Sequence, residues 1–334
     1  MSLHERVAEN PLDLIGNTPL VHLRSFDGAS GCRILGKCEF MNPGDSVKDR
    51  PALYMVETAE RAGSLKPGGV VVEGTAGNTG IGLALVCAAK GYRCILVIPE
   101  TMAKEKIDLV RAIGAEVVLA KKAPWGDPGH YNEIARRIVA DTPGAVFMNQ
   151  FDNPANTVSH YETTGRELWE QTGGRVDALV AGMGTSGTLV GAGRYLKERN
   201  PAVKVVVADP MGSVYFNYLT TGEPKAEGSS VLEGVGIGRL PGIFEKGPID
   251  DIIRIDDREA LGAMWQIIRR EGLFVGGSSG LSVAGAVKVA RQIGPGKTIV
   301  TVLCDSGRNY MSKVFNEDWM KAQGLSDSSP ASPR

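Results

Sequence analysis

The sequence predicts an α/β fold in which helices cover both faces of mostly parallel sheets. Short β-branched runs alternate with helical patterns, which is typical of parallel α/β architectures. Most of these runs are continuously apolar, as expected for strands that are buried on both faces. Glycine is abundant, with 43 residues, whereas aromatic residues make up only 6%. A chain of 334 residues suggests about two domains, and strand–helix units lie on both sides of a division near residue 155.

Six short runs rich in valine, isoleucine and leucine are predicted as strands. They are GVVVEG (69–74), RCILVIPE (93–100), AEVVLA (115–120), DALVAG (177–182), KVVVADP (204–210) and KTIVTVL (297–303). The predicted helices are TGIGLALVCAAKG (79–91), AKEKIDLVRAIG (103–114), NEIARRIVAD (132–141), ETTGRELWEQTGG (162–174), GTLVGAGRYLKERN (187–200) and REALGAMWQIIRREG (258–272). Gly91 is expected to end the first helix. Because such folds bind ligands beyond the carboxyl ends of strands, the loops that follow these runs are the candidate sites.

Composition excludes several functional classes. The net charge of −1 argues against a nucleic-acid binder, which usually presents a basic face. No apolar run approaches the ~20 residues that span a bilayer, and the first residues lack the apolar segment of a signal peptide, so a cytoplasmic location is expected. The odd number of cysteines without a C-x-x-C pair predicts neither a disulfide framework nor a metal site. They are expected to be small buried apolar side chains: Cys32, Cys38, Cys87, Cys94 and Cys304.

Two glycine-rich loops are candidate phosphate sites. The first, EGTAGNTGIG (73–82), is followed by Leu83 where a P-loop requires lysine, so a P-loop is excluded. The second, AGMGTSGT (181–188), contains G-x-G-x-x-G between a predicted strand and a predicted helix. Asp209 ends the next strand about twenty residues later, as the ribose-binding acid of a dinucleotide site would. An NAD-dependent oxidoreductase therefore stays open, and so does a purely structural glycine turn.

The hydroxyl groups of the second loop favour a different ligand. Thr185, Ser186 and Thr188 surround a predicted helix start. Hydroxyls and backbone amides at a helix N-terminus suit a single phosphate monoester, such as that of pyridoxal phosphate. A dinucleotide pyrophosphate depends more on close approach of the backbone than on hydroxyls.

Pyridoxal phosphate requires a lysine whose amine can form a Schiff base, and Lys48 is the candidate. It lies in MNPGDSVKDRPAL (41–53), just before a helix that Pro51 is predicted to open at its first position. The positive end of that helix would lower the pKa of the amine. Taken alone, Lys48 would be interpreted as a surface lysine paired with Asp45 or Asp49.

Several motifs taken together resemble a known family. They are NPGDSVKDR (42–50), GTAGNTG (74–80), GTSGT (184–188) and GGSSG (276–280), with LIGNTPLVHL (14–23), NQFDNPANTVSHYETTG (149–165), EGVGIG (233–238) and CDSGRNYMSKVFNEDW (304–319). This set resembles the β-family of pyridoxal-phosphate enzymes, of fold type II (tryptophan synthase β-like). It is most similar to cysteine synthase, also called O-acetylserine sulfhydrylase, and to the catalytic core of cystathionine β-synthase. Each motif is weak alone, but their shared order across most of the chain is specific.

The resemblance implies a role for each matched residue. Lys48 would form the Schiff base and transfer the substrate Cα proton. The residues implied to hold the cofactor are Lys48, Asn78 at the ring hydroxyl, Ser278 at the pyridine nitrogen, and Gly184, Thr185, Ser186, Gly187 and Thr188 at the phosphate. Those implied to hold the substrate are Thr75, Ala76, Gly77, Asn78, Thr79, Gln150 and Gly236. No metal is implied.

The implied activity is β-replacement, in which O-acetylserine or a related β-substituted serine reacts with sulfide to give cysteine through an α-aminoacrylate. A cystathionine β-synthase-like or cysteine desulfhydrase activity is the alternative, and the NAD-dependent oxidoreductase is a distant one. Two positions depart from the family pattern. Ala76 stands where serine is usual, so the amino-acid donor and the balance between cysteine synthesis and desulfhydration stay open. Ser186 stands where glycine is common.

The resemblance also implies how the chain is divided and assembled. A larger cofactor-binding domain would comprise residues 1–45 and 156–320, and a smaller mobile domain, 46–155, would clamp the substrate. A homodimer is implied, with serine acetyltransferase as a further partner, whereas no nucleic acid or membrane is. Residues 321–334 are expected to form a disordered tail, and the regulated type of cystathionine β-synthase is not expected.

Three further polar residues lie in or near the motifs. His160 is expected to be structural rather than catalytic. Asp305 and Ser306 follow the last predicted strand, where they would either line the pyridine end of the pocket or form a structural turn.

Overall fold

Ten strands form two sheets in the computed structural model, which describes residues 7–326. They are β1 (Leu20–His22), β2 (Arg33–Cys38), β3 (Val70–Gly74), β4 (Arg93–Pro99), β5 (Glu116–Ala120), β6 (Ala145–Phe147), β7 (Ala178–Gly182), β8 (Lys204–Asp209), β9 (Asp251–Arg254) and β10 (Thr298–Leu303). The larger sheet has the order β1-β2-β10-β7-β8-β9 and the smaller one β5-β4-β3-β6. Every pairing is parallel except that of β1 with β2.

Eleven α-helices connect these strands within the described residues. They are α1 (Asp49–Arg61), α2 (Asn78–Lys90), α3 (Lys104–Ile113), α4 (Tyr131–Asp141), α5 (Pro154–Ser159), α6 (Arg166–Thr172), α7 (Gly187–Arg199), α8 (Tyr215–Thr221), α9 (Asp257–Gln266), α10 (Gly277–Ile293) and α11 (Glu317–Ala322). A π-helical turn, His160–Gly165, joins α5 to α6, and a second one, Ile267–Glu271, extends α9.

Each sheet carries a hydrophobic core on both of its faces. In the larger sheet, Val180 and Ala208 face α9 and α10, whereas Leu179 and Val207 face α6 and α7. The smaller sheet packs one face against α1, α2 and α3 and the other against α4. The chain therefore forms two three-layer α/β/α units, which confirms the predicted fold class.

All six predicted strands occur, but four others were missed for identifiable reasons. β1 and β6 have only three residues, and β9 is a short strand at the edge of the sheet. β2 contains Gly36 and Lys37, which interrupt its apolar pattern, although Lys37 is fully buried. The local hydrophobic pattern could not predict β2, because the Lys37 charge is paired with Glu167, which is distant in the sequence.

The helix boundaries confirm one sequence expectation and correct another. Gly91 ends α2 in the left-handed conformation, with φ of 74°, as predicted. The prediction that Pro51 opens α1 is wrong, because the helix begins at Asp49 and Pro51 takes its third position. Proline is tolerated there because the first amides of a helix have no acceptor within it.

The C-terminal segment is ordered further than the sequence suggested. Helix α11 extends to Ala322, and Leu325 is buried against the core of the larger sheet. The expected tail is therefore corrected for residues 321–326, while 327–334 lie outside the described residues. Among residues 7–326, no helix has the length and apolar character needed to cross a lipid bilayer.

Candidate active site

A cavity of about 490 Å³ lies where the carboxyl ends of strands from both sheets meet. Loops that follow β3, β6, β7 and β10 line it, as expected for ligand sites in parallel α/β folds. All of the predicted site residues except Gly187 are among its lining residues. The structure thus brings together side chains from Lys48 to Ser278, which are 230 residues apart in sequence.

Lys48 lies at the start of α1 and lines the cavity. Its neighbour Val47 donates a backbone hydrogen bond to the Cys304 carbonyl at 2.8 Å, which ties the lysine to the end of β10. Burial lowers the pKa of the Lys48 amine, although the nearby Cys304 and Asp305 act in the opposite direction. Asp49 accepts the Gly44 amide and Asp45 lies 3.9 Å from Arg308, and among residues 7–326 neither carboxylate forms an ion pair with Lys48, so the surface-lysine alternative does not hold.

A buried ion-pair cluster fixes the chain two residues after Lys48. Arg50 Nε lies 2.7 Å from Glu39 Oε2, and its Nη1 lies 2.6 Å from Glu167 Oε1. Lys37 Nζ lies 2.5 Å from the other oxygen of Glu167. These partners come from β2, the turn after it and α6, so the cluster fastens α1 to elements that pack on the larger sheet. The guanidinium and Lys37 lower the pKa of Glu39, against the effect of burial.

The loop after β7 forms a cradle at the N-terminus of α7. Ser186 caps this helix in the left-handed conformation, with φ of 73°, and its buried Oγ has no hydrogen-bond partner among residues 7–326. The Gly184 carbonyl accepts a hydrogen bond from the Tyr215 hydroxyl at 2.8 Å. A side chain at Gly184 would come within 2.5 Å of the Gly234 carbonyl oxygen. The loop therefore needs glycine there, and it offers an unused hydroxyl beside a positive helix end.

Buried polar side chains behind the cradle hold its hydroxyls. His160 Nε2 is hydrogen-bonded to Thr188 Oγ1 at 3.1 Å, and its Nδ1 to Thr164 Oγ1 at 2.9 Å. Burial lowers the pKa of His160 well below its usual value, so the ring is neutral. Asn156 donates to the Thr185 hydroxyl at 3.1 Å. His160 is therefore placed to orient Thr188 from behind rather than to face the cavity.

The loop that opens α2 places two threonine hydroxyls beside a second helix N-terminus, which we call the α2 corner. Thr75 Oγ1 accepts the Gly77 amide at 3.2 Å, and Thr79 Oγ1 donates to Gln150 Oε1 at 2.6 Å. Ala76 is exposed at the rim of the cavity. A helix N-terminus with hydroxyls on two sides suits a carboxylate.

The buried carboxyl group of Glu73 holds the backbone turn that presents Gln150 to the α2 corner. Glu73 accepts the backbone amides of Asn149 at 2.7 Å and Gln150 at 3.4 Å, which fixes the turn that presents the Gln150 side chain. Asn149 takes the left-handed conformation in that turn, with φ of 50°. Burial raises the pKa of Glu73 to about 8, although both amides favour the charged form.

Asn78 and Asp305 meet at another side of the cavity. Asn78 Nδ2 donates to Asp305 Oδ2 at 2.6 Å, and the Tyr310 hydroxyl donates to the same oxygen. The buried Oδ1 of Asn78 has no hydrogen-bond partner among the residues that the structure describes. Asp305 lines the cavity, Ser278 faces it from the first turn of α10, and Ser306 is not among its lining residues.

Several cavity residues are not predicted by the sequence motifs. Cys304, expected to be a small buried apolar residue, lines the cavity together with Lys48, and burial raises the pKa of its thiol to about 12. Trp125 and His130 come from the loop between β5 and α4, and Arg239 follows the EGVGIG motif directly. For Arg239, its position directly after the EGVGIG motif is the sequence signal that could have placed it in the cavity.

The dinucleotide interpretation fails on the position of its acidic residue. Asp209 is fully buried, and its Oδ2 accepts the Phe216 amide at 3.0 Å. It is not among the residues that line the cavity, so it cannot contact a ribose there. By contrast, the Ser186 hydroxyl and the Asn78 oxygen that lack hydrogen-bond partners, together with a lysine whose pKa burial lowers, fit the phosphate, ring hydroxyl and aldehyde of pyridoxal phosphate.

Known proteins are similar to this chain over most of its length. The family model described as "Pyridoxal-phosphate dependent enzyme" matches residues 11–305. Cysteine synthase 1 of Neurospora crassa is 46% identical over 97% of this chain and 88% of its own length. Cystathionine beta-synthase of Apis mellifera is 40% identical over 96% of this chain, which spans 64% of that protein. A hydrogen sulfide-producing enzyme from Fusobacterium nucleatum superposes with a TM-score of 0.84 at 36% identity, covering 91% of this chain and 98% of that one.

Proposed function

Because the chain belongs to the family of pyridoxal-phosphate dependent enzymes, we propose that it makes cysteine from sulfide and O-acetylserine or a related β-substituted serine. The family match and the cysteine synthase relatives confirm the predicted resemblance and cofactor class. One observation carries the proposal: Lys48 lines the same cavity as two helix N-termini. The N-terminus of α7 suits a phosphate, and that of α2 suits a carboxylate.

The cavity offers matching partners for each polar group of the cofactor. Thr185, Ser186 and Thr188, with the first amides of α7, would hold the phosphate. The free oxygen of Asn78 would accept a hydrogen bond from the ring hydroxyl, and Ser278 would face the pyridine nitrogen. When bound, pyridoxal phosphate supplies the electron sink that makes the Cα proton of an amino acid acidic. A neutral serine does not keep that nitrogen protonated as a carboxylate would, which favours elimination over transamination.

Gly187→Ala should weaken cofactor binding by about tenfold, because overpacking a fitted contact is costly. The added Cβ would lie 2.2 Å from Asn156 Oδ1 and displace the side chain that holds Thr185. Titration of apoprotein with pyridoxal phosphate, followed by absorbance, measures this. Gly262→Ala is the matched control, since a Cβ there meets nothing within 4 Å. Equal affinities for both variants would contradict the proposed phosphate site.

Side chains and backbone amides of the cavity would supply the proton transfer and the substrate binding. The lowered pKa of Lys48 makes its neutral amine more available to take the Cα proton and return it. Thr75, Thr79 and the first amides of α2 would hold the substrate carboxylate, with Gln150 beside them and Gly236 near the amino group. Acetate departs from Cβ with the electron pair of the C–O bond, and the sulfide sulfur forms the new bond to Cβ.

The division of the chain at 45–46 and 155–156 and the mobility of residues 46–155 stay predictions. Their support is that loops from both sheets line a single cavity. Movement of the smaller sheet towards the larger one would close the cavity over the substrate and exclude water.

A cystathionine β-synthase-like or desulfhydrase activity is the second candidate. It is favoured by the 40% identity to a cystathionine beta-synthase and by the structural likeness to a hydrogen sulfide-producing enzyme. The holoenzyme should be supplied with O-acetylserine and sulfide, serine and homocysteine, or cysteine alone, and cysteine, cystathionine and sulfide measured. We expect O-acetylserine with sulfide to give the highest kcat/KM. A higher kcat/KM for serine with homocysteine, or for cysteine alone, would show that the corresponding reaction is the main activity.

Ala76→Ser should lower KM for the amino-acid donor by about 10- to 150-fold, because a hydrogen bond to a charged group is worth roughly 1.5–3 kcal/mol. Ala76 is exposed at the cavity rim, next to the Thr75 hydroxyl and the α2 amides, so a serine there could reach the substrate carboxylate. Steady-state kinetics with O-acetylserine at saturating sulfide measure the change. An unchanged KM and kcat would show that Ala76 is not a specificity element.

The homodimer and the serine acetyltransferase partner stay predictions from the resemblance, and the cytoplasmic location stays a prediction from the sequence. Light scattering of the purified protein tests the first. Co-elution with serine acetyltransferase tests the second.

A further inference from the structure

Lys106 is a buried cation on α3 that contacts the turn Gly307–Tyr310. Its side chain is 1% exposed, and its Nζ lies 2.7 Å from Glu233 Oε2 and 4.0 Å from the centroid of the Tyr310 ring. The other oxygen of Glu233 lies 2.5 Å from Lys313 Nζ. Glu233 is therefore paired even without Lys106, whereas Lys106 is the cation that lies over the Tyr310 ring.

Tyr310 connects Lys106 to the cavity. Its hydroxyl donates to Asp305 Oδ2, the oxygen that also accepts a hydrogen bond from Asn78 Nδ2 at 2.6 Å. Burial raises the pKa of Tyr310 well above its usual value, so the hydroxyl keeps its proton and remains a donor. These contacts form a continuous chain from Lys106 on α3 to Asn78, the first residue of α2.

The charge of Asp305 decides which way the Asn78 amide is turned. A carboxylate only accepts hydrogen bonds, so it selects the Nδ2 of Asn78 and leaves the Oδ1 of that amide available. A protonated carboxyl group would also be a donor and could bond the amide oxygen instead. Burial raises the pKa of Asp305, and Lys106 is the strongest influence in the opposite direction. The buried Oδ1 of Asp305 has no hydrogen-bond partner within residues 7–326, so the ionised form depends on such a nearby charge.

We propose that Lys106 is a positioning residue, which acts through Tyr310 and Asp305 to keep the Asn78 amide turned for the ring hydroxyl of pyridoxal phosphate. Lys106 does not line the cavity, so it acts without touching cofactor or substrate. The proposal rests on the place that the proposed function gives to Asn78. It holds whichever β-substituted serine is the donor.

The test compares how the full-length apoprotein binds pyridoxal phosphate and 3-deoxypyridoxal phosphate, which lacks the ring hydroxyl. Lys106→Met removes the charge and leaves Glu233 paired with Lys313. Because Asp305 would then be protonated more readily, the variant should bind pyridoxal phosphate about 2- to 12-fold more weakly, the usual worth of one hydrogen bond, and the deoxy analogue within about twofold of wild type. Lys106→Arg should restore most of the affinity. Absorbance titration measures both dissociation constants.

Two further variants show whether the effect passes through Asn78. Lys313→Met is the matched control, since it breaks the other ion pair of Glu233 and leaves the cation over Tyr310 in place. It should keep both affinities within about twofold of wild type, as expected for a pair that is partly exposed. Asn78→Ala should itself weaken binding of pyridoxal phosphate only. In that background Lys106→Met should cause no further loss, which is the signature of two residues that act as one unit.

Equal weakening of both aldehydes by Lys106→Met, or weakening of neither, would overturn the proposal. In the first case Lys106 would be a packing contact of α3, and in the second Asn78 would be oriented without it. If Asn78→Ala does not distinguish the two aldehydes, the place of Asn78 is wrong and the proposal fails with it. If the wild type makes no cysteine from any donor, only the proposed activity fails, because the binding comparison requires no turnover.

Discussion

Lys48→Ala should lower kcat by about 10³- to 10⁴-fold, because positioned proton transfer alone contributes up to that amount. The cavity supplies the reason, since burial lowers the pKa of the Lys48 amine and strand β10 holds its backbone in place. The same variant should lose covalent attachment of the cofactor while keeping part of its noncovalent affinity, because the cradle at α7 is untouched. Single-turnover kinetics measure the first effect.

Borohydride reduction followed by peptide mass analysis measures the second effect. Wild-type protein should carry the reduced cofactor on the peptide that contains Lys48, and the variant on none. Lys66→Ala is the control, because Lys66 is exposed and does not line the cavity. A small primary amine in the buffer should restore a fraction of the lost rate. If the variant kept more than a tenth of wild-type kcat, Lys48 would not be the proton-transfer residue.

Arg50→Met should destabilise the fold by about 3–5 kcal/mol, which is the usual cost of breaking a buried ion pair by removing one partner. Arg50 and Glu39 are 1% and 0% exposed, and Glu167 is 6% exposed, so the carboxylates left behind could not be solvated in place. Urea unfolding of the holoenzyme measures the change. Arg61→Met is the control on the same helix, since its pair with Glu57 is exposed and worth at most about 1 kcal/mol.

The pH dependence of this difference provides a second check. The pKa of Glu39 is lowered in the folded protein, so its contribution is present above its unfolded pKa and is lost as pH falls through the folded one. Without Arg50, Glu39 would be protonated more readily. The gap between wild type and Arg50→Met should therefore be widest near neutral pH and shrink on acidification. A pH-independent gap, or one no larger than that of Arg61→Met, would contradict the assigned role.

The sequence predicted the fold best where local pattern and burial agree. Continuous valine runs such as β8 are buried on both faces, so their composition alone identifies them. Helix α10 was missed because its first residues, GSSG, have low helix propensity, whereas its stability comes from packing against α9. Tertiary contact overrides propensity in such segments.

The site was predictable to the extent that motifs carry it. The glycine and hydroxyl pattern of 184–188 and the loop 74–80 led to groups that the structure brings into one cavity. Arg239 and Trp125 could not be paired in advance, because their contact joins loops more than a hundred residues apart. The burial of Arg50 and Lys37 could not be predicted either, because their partners Glu39 and Glu167 are brought to them by other elements of the fold.

The ion-pair cluster at Arg50 also has a mechanical meaning. It connects the first turn of α1 to Glu39 and Glu167, which belong to elements that pack on the larger sheet. The rest of α1 packs on the smaller sheet. Through this cluster Lys48, two residues before Arg50 in the sequence, is tied to elements that pack on the larger sheet. If residues 46–155 move to close the cavity, as proposed, the Lys48 amine would stay with the larger sheet while the loop 74–80 moves with the smaller one.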